Sequence, residues 1–360
     1  MRKISSVLRP KGNHTHDLPM FSINESPVRE NHRQQRLTLF LIIFGLLSLA
    51  SIFPSTAQTN FFFQNRVHDP STIVQCDDVF WTFATGDGIK TLHSTNLTDW
   101  QFARPAFTAN PPWAIEVAAV HRDYFWAPDI IQSNHRYMLY FSVSSWGKNT
   151  SAIGLATNIT LDPADPRFKW SDSGIVVRSF ATNDFNTIDP AVILDKDGKM
   201  WMAFGSYWSG IKLIELDPST GHRIATNSPM YSLAHHDSIE ASFIHRRDTN
   251  YFLFVNWGQC CRGTNSTYEI LIGRSTKITG PYLDRDGRDM MFDGGTPFLN
   301  SKPPFYGPGH AGIINVAGQD WFSCHYYDGD NRGRSQLSVG KLSWDTNGWP
   351  IPPTLSKSKP

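Results

Sequence analysis

Charge of one sign is missing from this 360-residue chain: 33 Lys and Arg meet 32 Asp and Glu, for a net charge of +1. Such a balance excludes a protein built to hold nucleic acid, whose affinity comes from a basic face that neutralises phosphates. Cysteine is scarce. Cys76, Cys260, Cys261 and Cys324 are too few to staple a disulfide scaffold, and no CxxC or Cys/His spacing offers a zinc site. An amphipathic helix of useful length is also lacking, which argues against a helical bundle. Long apolar runs are absent but for one, LTLFLIIFGLLSLASIF from Leu37 to Phe53.

That run divides the chain. Residues 1–36 carry seven Lys/Arg against three acids and no apolar periodicity, which predicts a disordered basic tail. Residues 37–57 read as a signal peptide cleaved after Ala57, or as a signal anchor that keeps 37–53 in the membrane with the tail cytoplasmic. Both readings carry 58–360 across a membrane, so the protein is expected to be secreted, or anchored with its folded domain outside. Beyond the apolar run lie four sequons, at Asn96, Asn149, Asn158 and Asn265, which agree with export and glycosylation.

What the chain has in abundance is aromatics: 12 Trp, 11 Tyr and 24 Phe. Many fall in short β-like runs, VFWTFATG, YMLYFSVSS, MWMAFGSYW and YFLFVNWG, bounded by Gly, Asp or Asn. A polar residue, a short apolar strand and a polar turn precede the aromatic strand each time. The polar residues are Asp69, Asp129, Asp189, Glu240 and His310, spaced 60, 60, 51 and 70 residues apart. Five irregular copies of a unit of about four strands are the signature of an all-β fold, a five-bladed β-propeller over 58–360. A β-sandwich with long loops is the alternative.

In a propeller, equivalent positions of every unit converge at one end of the axis. The five polar residues would then ring the mouth of a central channel. For any single Asp-Pro pair the plainer explanation is a turn, and a lone His is more often a satisfied polar group. Five ionisable repeats weaken that explanation. Clustered carboxyls suit a metal or acid–base chemistry, because crowding and burial push their pKa values apart. Glycoside hydrolysis needs that division, one carboxyl as acid and another as base. Trp113, Tyr124, Phe125, Trp126, Trp146, Tyr207 and Trp208 fall where they could top the propeller as sugar platforms, with some of them in the core.

The ordered set VHDPS, FWAPDI, NTIDPAVILDKDGKMWMAFGSYWSGI, IEAS, CCRGTNSTYEILIGRSTKITGPY and GPGHAGI resembles the endo-1,5-α-L-arabinanases of glycoside hydrolase family 43, from about Asn65 to Trp344. The resemblance implies inverting hydrolysis of arabinan on a five-bladed propeller. Asp69 would be the general base, Glu240 the general acid, and Asp189 the residue that tunes and orients the acid. It also implies that His310 binds a channel ion, usually calcium, whose other ligands are mostly water. Asp129 is expected to be structural or substrate-shaping. His68, Trp113, Phe125, Asn186 and Ser206 are the expected sugar contacts, and CCRG a rim loop. Cys76 and Cys324 lie in the first and last units and could pair on closure. A monomer is expected. An exo-acting arabinofuranosidase or xylosidase of the same fold, and a non-catalytic sugar-binding propeller, are the competing readings.

Overall fold

The aromatic runs form the second strands of antiparallel sheets in a computed structural model that describes residues 66–119 and 123–357. The basic tail 1–36 and the apolar segment 37–57 lie outside the described residues. Among those described, no helix is long and apolar enough to cross a membrane.

Five sheets make five blades around one axis. Blade one holds β1 (Val74–Cys76), β2 (Val79–Ala84), β4 (Lys90–Ser94) and β5 (Gln101–Ala103). Its two-residue β3 (Gly86–Asp87) crosses to pair with the innermost strand of blade two. Blade two follows a single short helix, α1 (Pro112–Val117). It comprises β6 (Tyr124–Ser133), β7 (Arg136–Val143), β8 (Ser151–Asn158) and β9 (Ser171–Ser179). Blade three is β10 (Ala191–Leu194), β11 (Met200–Phe204), β12 (Ile211–Leu216) and β13 (Met230–Ala234). Blade four is β14 (Glu240–Arg247), β15 (Asn250–Trp257), β16 (Glu269–Ser275) and β17 (Thr296–Leu299). Blade five departs from the expected four strands. Among the described residues it has three, β18 (Phe305–Val316), β19 (Gln319–Asp328) and β20 (Arg334–Lys341), followed by a separate hairpin of β21 (Ser343–Trp344) and β22 (Pro350–Ile351).

The period-2 alternation of side chains explains why these strands are apolar on both faces. Along β7, Tyr137, Leu139 and Phe141 pack with Trp81 and Phe83 of blade one, while Met138 and Tyr140 pack with Met200 and Met202 of blade three. Along β15, Tyr251, Leu253 and Val255 face blade three and Phe252 and Phe254 face blade five. Each sheet is thus shared by two cores. The fifth seam closes the ring: Phe80 and Leu92 of blade one meet Leu337 and Val339 of blade five. One backbone bond, Val67 N–H to Ser335 O at 3.2 Å, fastens the start of the domain to β20.

The same seams exclude the possible pairing of Cys76 with Cys324. Both are buried free thiols. Cys76 points into the seam between blades one and two, and Cys324 into that between four and five. Neither faces the closing seam.

Candidate active site

The propeller's own hydrogen bonds show which positions of the five inner strands are equivalent. The backbone N–H of Ala127 donates to Thr85 Oγ1, that of Asp189 to Ser142 Oγ, that of His310 to Asn256 Oδ1, and that of Asp69 to His325 Nδ1. In each case the acceptor comes from the second strand of the preceding blade or the residue just after it. Blade three has Gly205 there, placed by its bond to Ile188 O as Thr85 is by its bond to His68 O. With no side chain available, Asp189 Oδ2 itself takes the N–H of Ala241 at 3.0 Å. The register of the ring is therefore Asp69, Ala127, Asp189, Ala241 and His310.

This corrects the expectation of five equivalent ionisable residues. Glu240 stands one residue before its ring position and Asp129 two beyond. Four of the five ring residues, Asp69, Asp189, Ala241 and His310, adopt left-handed φ of 50 to 57°. β14, β18 and β6 also break register near this level. Bulges and left-handed residues of this kind re-aim side chains, and here they gather at one mouth of the channel. Asp129 is a clasp: its Oδ1 accepts Thr72 N–H at 2.9 Å and its Oδ2 accepts Val192 N–H at 2.7 Å, joining the inner strands of blades one, two and three.

Asp69 sits among histidines. Its Oδ1 lies 2.7 Å from His68 Nδ1 and 3.0 Å from His310 Nδ1, and its Oδ2 accepts Thr85 Oγ1–H at 2.6 Å. Burial works to raise this carboxyl, yet His68 and His310, both close against Oδ1, hold it well below the usual carboxylate range. His325, wholly buried, has its pKa pressed far down, by burial first and then by the neighbouring histidines.

Across the ring the balance reverses. Burial, followed by the Asp189 charge, pushes Glu240 up, against the pull of a 2.8 Å hydrogen bond from Tyr268 Oη. Asp189 is raised by burial too, with His310 opposing and Asp69 adding to the rise. One carboxyl is thus kept ionised while two others are biased toward their protons. Sequence reasoning missed four supporting side chains: Thr85, Tyr268, His325 and Tyr327. His325 and Tyr327 were visible in CHYYDG, but alternation marked them only as strand residues. Nothing in the sequence showed that the hydroxyls of Thr85 and Tyr268 reach a carboxyl.

The expected sugar contacts fare unevenly. His68 lies beside Asp69. Phe125, 1% exposed, is core, its ring 5.3 Å from Phe107 and 5.2 Å from Phe141. Trp113 is no free platform either: its indole stacks on Phe141 and its Nε1–H reaches Asp172 at 3.3 Å. The alternating faces of β6 send Phe125 inward, and the helix α1 lays Trp113 against Phe141. Asn186 and Ser206 are buried and bound to one another at 2.8 Å, and Asn186 Oδ1 also accepts Ser151 Oγ–H. Their polar atoms serve the fold. Exposed aromatic surface lies instead on Tyr124, Trp146 and Trp208, with Trp126 5.5 Å from Trp146. Of the sequons, Asn96 and Asn265 are exposed. Asn149 and Asn158 are buried, and Asn149 Nδ2 donates to two backbone carbonyls.

Among the described residues, two groups bring three possible metal ligands together, His68 with Asp69 and His325, and His68 with Cys260 and Cys261. Neither is a free ligand set. The Nδ1 of His325 already accepts the Asp69 N–H, and Cys260 and Cys261 are joined in a disulfide. His310 is different. Its buried Nδ1 makes no aligned hydrogen bond despite lying 3.0 Å from a carboxylate oxygen. Burial lowers its pKa, but Asp69 and the other carboxyls outweigh that and raise it to about 9, so the place favours positive charge. A hard cation here would take the place of that proton, with the neutral imidazole as one ligand and water as most of the others.

Comparison with known proteins adds the following. The profile of the glycosyl hydrolases family 43 matches residues 58–350. An extracellular exo-α-(1→5)-L-arabinofuranosidase of Cellvibrio japonicus is 40% identical over 80% of this chain and 86% of its own. An extracellular endo-α-(1→5)-L-arabinanase of Bacillus subtilis is 38% identical over 79% and 87%. The solved structure of the Cellvibrio cellulosa α-L-arabinanase superposes with a TM-score of 0.76 at 39% identity, covering 81% of this chain and 95% of that one.

Proposed function

The chain belongs to the glycosyl hydrolases of family 43, and from that premise we propose that it cleaves the 1,5-α-L-arabinofuranosidic bonds within arabinan, with inversion at the anomeric carbon. The observation that carries this reading is the opposed bias on carboxyls of one ring. Asp69 is held ionised by histidines, and Glu240 is held toward its proton by burial and Asp189. Asp69 is the general base: it takes a proton from the water that attacks the anomeric carbon. Glu240 is the general acid, passing its proton to the departing sugar oxygen as the glycosidic bond breaks. Asp189 keeps that proton in place electrostatically and, through Ala241 N–H, fixes the backbone beside Glu240. Inversion requires the two carboxyls to stand about 6.5–9.5 Å apart, leaving room for the water.

We further propose that His310 holds a calcium ion with water, a positive charge that would steady the Asp69 carboxylate. Export or anchoring through 37–53 places the domain outside the cell in this reading, in keeping with the two extracellular relatives. The relative named for exo action favours a second reading, release of arabinose units from chain ends. Product analysis on linear arabinan decides between them. Internal cutting gives a ladder of oligosaccharides and an early fall in viscosity, whereas end-wise action gives one short product from the first minutes. No cleavage at all would overturn both.

A further inference from the structure

The loop that leaves β15 is stiff for its length. Gly258 N–H donates to Ser238 Oγ, Gln259 and Thr267 bond to each other twice, and Arg262 N–H donates to Ser266 Oγ. Within it the disulfide between neighbours Cys260 and Cys261 closes a small ring that includes the peptide joining them. The N–H of that peptide, on Cys261, donates to Tyr327 Oη at 2.6 Å. Tyr327 Oη also lies 2.6 Å from His68 Nε2, and His68 Nδ1 lies 2.7 Å from Asp69 Oδ1. An unbroken chain of contacts thus runs from the disulfide to the carboxyl read as the base.

The ionised Asp69 carboxylate can only accept, so the neutral His68 ring carries its hydrogen on Nδ1, and this sets the protons along the chain. A backbone N–H can only donate, so Tyr327 Oη accepts from Cys261. The phenol's own proton then goes to His68 Nε2, which accepts, and the ring carries its hydrogen on Nδ1, aimed at Asp69. Stacking on His325, with ring centroids 4.1 Å apart and 23° between planes, fixes the plane of His68. Stacking does not choose between the two tautomers, nor between the two flipped positions of the ring in that plane. Polar partners at the two nitrogens do, Asp69 at Nδ1 and Tyr327 at Nε2.

We propose that Tyr327, held by the disulfide-closed loop, is a positioning residue for the general base. It locks His68 in the Nδ1–H tautomer and orientation that donate to Asp69. This rests on the reading of Asp69 as base, but the tautomer can be observed without any turnover.

The test is Tyr327→Phe in the full chain, which removes one oxygen and keeps the ring. Nitrogen-15 NMR of labelled histidine, with His68 assigned by comparison with His68→Asn, should show an acceptor Nε2 in the parent and a mixture of tautomers in the variant. On arabinan, kcat should fall roughly 10- to 100-fold, the size seen when a partner that orients a functional imidazole is lost, with KM within about twofold. A double variant, Cys260→Ser with Cys261→Ser, keeps the peptide N–H but frees the loop. It should move tautomer and kcat in the same direction by less. An unchanged tautomer, or a loss confined to KM, overturns the proposal. If Tyr327→Phe does not fold by circular dichroism, the cysteine variant decides alone: a tautomer mixture with lowered kcat supports the clamp, and parent-like values sink it. An altered tautomer in a protein whose Asp69→Ala variant keeps full activity would instead fault the assignment of the base.

Discussion

Asp69 and Asp189 occupy the same place in blades one and three. Both precede a proline, both have left-handed φ, both are buried, and both have their N–H bound by the preceding blade. Their carboxyls are nevertheless driven in opposite directions, Asp69 down and Asp189 up. Burial pushes both the same way, so burial cannot be the difference. Neighbours are: His68 and His310 stand in contact with Asp69, whereas Asp189 feels His310 without such a contact and is pushed back by the Asp69 charge, so burial prevails there. One repeat position yields an ionised carboxylate and a proton-biased one because the blades on either side supply different charges.

The largest effect should come from breaking the ionised side. Asp69→Ala is expected to lose activity on arabinan and on an activated aryl arabino-oligosaccharide alike, by about 10⁴ or more, since neither substrate can react without an activated water. Azide should partly restore turnover from the same face. Comparable rates for variant and parent on either substrate would remove Asp69 from the chemistry. The proton-biased side should break differently. Glu240→Ala is expected to lose on the order of 10²–10⁴ on arabinan, whose leaving group needs a proton, and far less on the aryl substrate. Equal losses on the two substrates, or retained anomeric configuration by NMR in the parent enzyme, would refute the division of roles.

How much of this was legible beforehand depends on where the signal lives. The blades were readable because buried sheets need apolar residues on both faces, and runs such as YMLYFSV and YFLFVNW carry that requirement locally. Asp69, Asp189, Glu240 and His310 were readable as a set because each opens a unit. Their register was not. A shift of one residue at Glu240 or two at Asp129 is invisible to spacing, since bulges and left-handed φ decide which residue faces the axis. The choice of sugar platforms failed for a related reason: Phe125 and Trp113 are as aromatic as Trp146, but the alternating faces of β6 put Phe125 inside, and the helix α1 lays Trp113 on Phe141. Hydroxyl partners such as Tyr268 and Thr85 come from other strands altogether.

A smaller effect tests the proposed ion, which would belong to the Asp69 side. His310→Ala and treatment with EDTA should each lower arabinan turnover, roughly tenfold, and reduce the melting temperature by a few degrees. Added calcium should reverse the EDTA effect but not that of the substitution. If turnover and melting both ignore EDTA and His310→Ala, no ion acts there, and the histidine is simply the positive neighbour of Asp69.

The smallest effect sharpens the comparison most directly, because it asks for opposite signs from one substitution at two equivalent positions. Asp69 has a lowered pKa. Above the usual carboxylate range its native form gains stability from being ionised among histidines, and that gain is lost as pH falls through the folded pKa. Asp189 has a raised pKa. Between its ordinary and its folded value the native state holds a proton that the unfolded chain has released, so stability falls as pH rises across that window and stays lower above it. Replacing each by Asn removes the titration and keeps one oxygen, which at Asp189 can take the Ala241 N–H and at Asp69 can face the histidines, with the amide nitrogen turned to Thr85 Oγ1. Asp69→Asn should therefore melt below the parent at neutral pH, with the gap closing in acid. Asp189→Asn should melt level with the parent in acid and above it at neutral pH. A tenfold difference in proton affinity between the folded and unfolded chain is worth about 1.4 kcal/mol, or a few degrees in a domain of this size. Thermal melts of the three proteins across acidic to neutral pH would show the two curves diverging to either side of the parent. Two curves displaced in the same direction would mean that burial, not the neighbouring charge, governs both carboxyls.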